Sequence, residues 1–270
     1  MQFFSRFGIT KTITATTVMI LIAALGAVAW VISGSIETRI QQQAIHAESP
    51  PDVWTEAVTA RFGAPYIGDP CGYAVAAHAT LESWARYSSQ RTLGPDGIVI
   101  ACFGDPGLLA LRELASCPVT GLAEAALAQA ADFGRCAILT GGQAWKPMLE
   151  RLLPDLAHAD RVCGIETVEL SGAQIHADPQ AAEAVLLQAC RRIEQRWPVD
   201  SLILGGAGLA GMAAAIQSDV PVPVIDSVTA GTHWALRTPP LPPARSTPGF
   251  DIAWQGLSPE MLALAPTQAA

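Results

Sequence analysis

Two glycine-rich turns carry the residues best suited to chemistry. Asp96 to Leu108 reads DGIVIACFGDPGL, and Asp200 to Met212 reads DSLILGGAGLAGM. Each has an acidic start, a short apolar strand, a glycine-rich turn and the opening of a helix. They stand 104 residues apart, which puts Cys102 of the first opposite Gly206 of the second. Cys102 ends an apolar strand, and Asp105 with Pro106 reads as an N-cap and first helical residue. A thiol beside a helix N-terminus is biased toward thiolate, from a free pKa of about 8.5 toward neutrality. A general base near pH 7 needs that property. Asp105 is assigned to capping rather than to catalysis.

The second turn admits another reading. Gly206 to Gly211, GAGLAG, satisfies G-x-G-x-x-G between a strand and a helix, and Asp226 lies 20 residues beyond Gly206. This is the pattern of a dinucleotide-binding turn, with the pyrophosphate at the helix N-terminus. Against it, the strand before Gly206 repeats the strand before Cys102, whose turn lacks the glycine pattern, and no nicotinamide-side domain is evident. The six cysteines are scattered singly, without a C-x-x-C pair, which argues against structural zinc and a disulfide framework. Cys136 and Cys190 sit in apolar contexts as small buried hydrophobes. Cys71 lies at the helix start DPCGY. His78, His233 and Glu124 read as packed, solvated or capping residues. Trp84, Trp145 and Trp197 read as packing on the sheet or edging a cleft.

The elements that position these turns follow from patterning. Short apolar runs, EAVTARF, GIVIACF, PVTGL, RCAILTG, SLILGG and VPVID, alternate with helical windows at Cys71 to Tyr87, Pro106 to Ala115, Glu124 to Asp132, Trp145 to Leu153, Pro179 to Arg196 and Leu209 to Gln217. Strand and helix in alternation predict an α/β fold with parallel sheets. The repeat at 104 residues, with PVTGLAEA from Pro118 echoed by PVPVIDS from Pro221, predicts two pseudo-symmetric flavodoxin-like half-domains. Ligand crevices lie beyond the carboxyl ends of parallel strands, so both turns should face one interdomain active-site cleft. The expected division is 1–43 as N-terminal anchor or signal peptide and linker, 44–133 and 134–236 as the half-domains, interleaving near the C-terminus, and 237–270 as a proline-rich tail.

At 270 residues the chain can bury a sizeable core. A net charge of −8, a pI near 5.0 and the absence of a Lys/Arg cluster exclude a nucleic-acid partner. Half the residues are hydrophobic and mean hydropathy is +0.32. Much of that comes from Thr12 to Ile36, 25 positions without a charge. The run is long enough for a transmembrane helix. Arg6 and Lys11 precede it and Glu37 and Arg39 follow, a weak signal for the N-terminus inside. The expectation is one hydrophobic helix anchoring the protein to a membrane through residues 12–36. A signal peptide cleaved after Ala29 is the alternative. A cytoplasmic location follows if the segment is a fusion or start-site error, and a thiol is more easily kept reduced there.

The stretches IACFGDPGL, PVTGLAEAAL and LGGAGLAGMA with VPVPVIDSVTAG closely resemble the aspartate/glutamate/hydantoin racemase family, related to arylmalonate decarboxylases and maleate isomerase. The similarity extends from about Val58 to about Thr232. The resemblance implies a two-subdomain α/β fold and a cofactor-independent isomerase without metal or pyridoxal phosphate. Its partner would be a small substrate bearing a carboxylate or imide, handled by a possible homo-oligomer. It further implies Cys102 as the catalytic thiol that moves the α-proton of an amino acid or hydantoin. Phe103, Gly104, Gly206, Ala207 and Gly208 become turn residues around the substrate, and Thr140 with Gly141 an anion contact. Two departures stand out. The family's second cysteine, in a GCAG context, is Gly206 here, which leaves one thiol and admits a decarboxylase-type lyase or a catalytically inactive small-acid-binding protein. The family's opening strand, ending in Asn-Pro-Asn-Thr, has at most a faint echo in Ile9 to Thr17, where the hydrophobic run lies.

Overall fold

The computed structural model describes residues 17–22, 53–64, 66–170, 172–239 and 254–264. Among these, strands β1 (Thr17–Ile22), β2 (Trp54–Thr59), β3 (Gly97–Ile100) and β4 (Val119–Gly121) form one parallel sheet in the order β2-β1-β3-β4. Strands β5 (Cys136–Gly141), β6 (Val162–Val168), β7 (Ser201–Gly205) and β8 (Val224–Asp226) form a second in the order β6-β5-β7-β8. The second order is the first with every index raised by four. The duplication read from the sequence is therefore a duplication of topology. β3 and β7 are buried along their whole length, which is why their sequences run apolar without alternation.

The membrane anchor expected over residues 12–36 is corrected by β1. Thr17–Ile22 pairs in parallel with β2 on one side and β3 on the other. Among the described residues no helix is long and apolar enough to cross a membrane. The transmembrane helix and the membrane localisation built on it are withdrawn. An interior parallel strand has no solvent face to mark it with polar residues, and next to further uncharged residues it reads as one long apolar run. The faint echo at Ile9 to Thr17 and the rest of residues 12–36 lie outside the described residues, except for Thr17 at the start of β1.

The helices are α1 (Pro70–Ser89), α2 (Leu108–Leu114), α3 (Leu122–Ala131), α4 (Trp145–Leu152), α5 (Gly172–Ala177), α6 (Pro179–Arg196), α7 (Met212–Ile216), α8 (Ser227–Arg237) and α9 (Pro259–Ala263). α1 and α6 begin alike: Asp69 accepts from the Gly72 N–H at 2.7 Å and Asp178 from the Ala181 N–H at 3.0 Å, each with proline at the first helical position. α3 and α8, which follow β4 and β8, pack on each other and exchange sheets. α3 lies on β7 and β8, and α8 on β3 and β4. Gly231 lets α8 approach Val99 of β3 and Leu122 of α3 within methyl distance. One core cluster consequently joins Ile98, Ile100 and Leu122 with Ile138, Ile203 and Ile225 from the other sheet. After the proline-rich stretch, α9 packs on α1, and Ser258 Oγ donates to Glu82 Oε2 at 2.8 Å.

Candidate functional site

The carboxyl ends of β3 and β7 bring the two turns together. Beyond β3 the chain folds tightly: the Cys102 N–H donates to the Ile100 carbonyl at 2.8 Å, and the Asp105 N–H to the Cys102 carbonyl at 3.0 Å. The Phe103 ring then lies on Gly205, where any Cβ would collide with it. The first half's turn is thus seated on the second half's strand. Gly104 abuts the Trp145 ring, and its carbonyl accepts from the Tyr73 hydroxyl at 2.7 Å. From the second half, Thr140 is buried near the end of β5, and its Oγ1 lies 3.8 Å from where a Gly206 Cβ would stand. The Gly141 carbonyl accepts from the Tyr66 hydroxyl at 3.2 Å. Gly206 has φ +134°, a conformation that favours glycine, and its N–H donates to Ser227 Oγ at 3.2 Å. Ala207 and Gly208 form the short 3-10 turn that follows.

The eight residues expected at the site therefore lie on two turns and one strand end. Phe103 on Gly205, and Thr140 by Gly206, knit them into one rim. Cys71 is exposed in the first turn of α1, and His78 edges the Phe62 ring. Trp84 is core, and Trp197 covers Gly164. Trp145 is buried, with its ring against Gly104 and edged by Tyr66. Tyr73 also borders a cavity of about 260 Å³ with Pro70, Met148, Arg151, Leu152 and Asp155.

A family model described as Asp/Glu/hydantoin racemase matches residues 28–235. The chain belongs to the Asp/Glu/hydantoin racemase family. A hydantoin racemase of Pseudomonas sp. (strain NS671) is 36% identical over 143 residues, 53% of this chain and 57% of that protein. One from Paenarthrobacter aurescens is 38% identical over 151 residues, 54% of this chain and 63% of that protein. The chain thus matches less than two thirds of the length of these curated relatives. Among solved structures, an allantoin racemase from Klebsiella pneumoniae superposes with a TM-score of 0.73 at 26% identity, covering 93% of this chain and all of that one.

Within this racemase fold the electrostatics differ from the sequence-based expectation. Asp105 does not cap the helix that follows it. It has φ +46°, Gly107 has φ +80°, and α2 begins only at Leu108. The Asp105 carboxyl turns to α3, where Oδ1 accepts from the Ala123 N–H at 3.0 Å and Oδ2 from the Glu124 N–H at 2.8 Å. Cys102 accordingly gains no thiolate bias from a helix that opens at Asp105. Burial pushes its thiol up to about 12; the Gly104 N–H pulls down and the Asp105 carboxylate pushes further up. On balance these influences favour the thiol over the thiolate. The Glu124 side chain pairs with Arg112 at 2.6 Å and accepts from Thr120 Oγ1 at 2.9 Å.

Asp226, the acidic residue of the dinucleotide reading, also turns inward. Oδ1 accepts from the Val228 and Thr229 N–H groups at 2.8 and 3.2 Å, and Oδ2 from the Gly211 N–H at 2.7 Å. α7, which follows GAGLAG, has five residues. That carboxylate serves as a helix cap rather than as a ribose acceptor. Among the described residues no group of three or more His, Cys, Asp or Glu is placed to hold a metal ion. Sequence reasoning overlooked Tyr66, Tyr73 and Ser227, whose hydrogen bonds to backbone leave no spacing signature.

Asp105 predicts a pH effect on stability. Burial raises its carboxyl from 3.8 to about 7, against the pull of the Ala123 and Glu124 N–H groups. Between these values the unfolded chain binds fewer protons than the folded one, so this contribution is complete below about pH 4 and is lost as pH rises through about 7. Urea titrations from pH 4 to 8 should show that falling component, and Asp105→Asn should remove it.

Proposed function

We propose that this family member is a cofactor-independent enzyme that moves a proton at the ring carbon of a hydantoin-like cyclic imide, with Cys102 as the acid/base thiol on one face. The observation that carries this reading is the seating of the Cys102 turn on β7: Phe103 lies against Gly205, which brings the turn that holds the thiol onto the strand that leads into Gly206. The hydantoin racemase relatives and the allantoin racemase fold support the substrate class, since both names denote five-membered ureido rings with an acidic ring C–H. Thr140 Oγ1 and the N–H groups of Ala207 and Gly208 are the donors for the imide oxygen or a carboxylate. Charge that develops on such an oxygen when the C–H breaks is best met by fixed dipoles of this kind.

For exchange the Cys102 thiolate takes the ring proton, trades it with solvent as the thiol and returns a deuteron to the same face. The thiol form itself is suited to protonating a carbanion that loss of another group has left. That favours a second reading, a decarboxylase-type lyase in which the thiol supplies the proton that replaces carbon dioxide. An arylmalonate decarboxylase shares the fold, with a TM-score of 0.56 at 19% identity over 82% of this chain and 91% of that one. Incubating the protein in D₂O with allantoin, 5-monosubstituted hydantoins and arylmalonates separates the two. Ring-carbon deuterium above the uncatalysed rate is expected with the cyclic imides. Carbon dioxide release from a malonate without such exchange would replace the first reading by the second.

A further inference from the structure

The two halves cap their equivalent helices differently. α8 is capped by its own N-cap residue, Asp226, which takes the Val228 and Thr229 N–H groups. In α3 the corresponding position is Gly121, which has no side chain to cap with, and the corresponding N–H groups of Ala123 and Glu124 go to Asp105. A Cβ at position 121 would collide with the Asp105 carboxyl, so glycine and aspartate fit only as a pair. Asp105 is 1% exposed and holds φ +46°, a backbone conformation uncommon for any residue but glycine. Such a conformation persists only where the surroundings over-determine it. Here they do so three residues after Cys102, in a turn whose Gly104 carbonyl is also held by Tyr73.

We propose that Asp105 is a positioning residue for Cys102: its carboxyl leaves the thiol's turn to cap α3, and so locks that turn to the helix that packs on the opposite sheet. This rests on Cys102 being the acid/base thiol. The groups that face Asp105 are Glu124 on α3, Arg112 on α2, Tyr73 on α1 and Cys102 itself. A carboxylate here also opposes ionisation of the thiol, the direction in which Cys102 is shifted.

The test separates the cap from the positioning. Asp105→Gly suits the local φ and removes the cap. Asp105→Gly with Gly121→Ser returns a neutral cap to α3's own N-cap position, where serine serves about as well as aspartate. Each full-length protein is melted, and alkylation of Cys102 by iodoacetamide is followed against pH by peptide mass spectrometry, with exposed Cys71 as internal reference. The single variant should melt earlier, and its Cys102 profile should move down by about one pH unit. The double variant should regain the melting temperature while keeping the displaced profile. Recovery of both would make Asp105 a cap and nothing more, overturning the proposal. Should either variant fail to fold, near-isosteric Asp105→Asn decides: a wild-type Cys102 profile there overturns the proposal, and a displaced one upholds it. Because alkylation needs no turnover, a displaced profile in a protein without exchange activity would sink the reading of Cys102 as catalyst and leave its positioning intact.

Discussion

Replacing Cys102 by alanine should lower ring-carbon deuterium exchange by about 10²- to 10⁴-fold, the range that a positioned acid/base group contributes. The fold should survive. The side chain is only partly buried, and the Phe103 contact that joins the halves does not involve the sulfur. Matched melting curves with lost exchange is the result expected from parallel thermal and NMR measurements. Exchange at the wild-type rate in Cys102→Ala would remove the thiol from the chemistry. A lowered melting temperature would leave the loss of rate open to a structural cause, which Cys102→Ser, closer in volume, addresses: it should fold as wild type and still exchange slowly.

Gly206→Cys should convert one-face exchange into racemisation. A Cβ there would meet Leu209 at 3.7 Å and Thr140 Oγ1 at 3.8 Å, ordinary van der Waals distances, so the site has room for the side chain. The backbone is less accommodating. At φ +134° a side chain costs about 1–3 kcal/mol unless the turn relaxes, and the bond from the Gly206 N–H to Ser227 resists that relaxation. The variant should therefore be less stable than wild type. With a thiol on each face, one enantiomer should lose optical rotation about as fast as it takes up deuterium. If Gly206→Cys folds and rotation still lags exchange, the second turn does not face the reacting carbon.

What was legible in the sequence was what repeats or stays buried. β3 and β7 are buried throughout and apolar but for Ser201 at the start of β7, and their constant spacing makes the duplicated topology legible in the sequence. β6 escaped because it is an edge strand, half-buried along most of its length, so VCGIETV shows no apolar run. β1 reads as a membrane helix because an interior strand of a parallel sheet and a membrane span can both be uninterruptedly apolar in sequence, and only pairing separates them. Asp105 was misread because capping rules are local, whereas its carboxyl serves a helix that begins 17 residues downstream. The equivalence of Gly121 and Asp226 as N-caps is itself hidden in the sequence, because aligning PVTGL with PVPVID on their prolines sets Gly121 against Val224. The hydrogen bonds that Tyr66, Tyr73 and Ser227 make with the backbone of Gly141, Gly104 and Gly206 leave no signal there either.

The most direct measurement is the ratio of deuterium incorporation to loss of optical rotation for one enantiomer of a 5-monosubstituted hydantoin in D₂O, taken for wild type and Cys102→Ala and corrected for the uncatalysed rate. One thiol opposite Gly206 predicts incorporation that outpaces loss of rotation in wild type and falls to the uncatalysed rate in Cys102→Ala. Equal rates of the two in wild type, or incorporation that persists in Cys102→Ala, would contradict it.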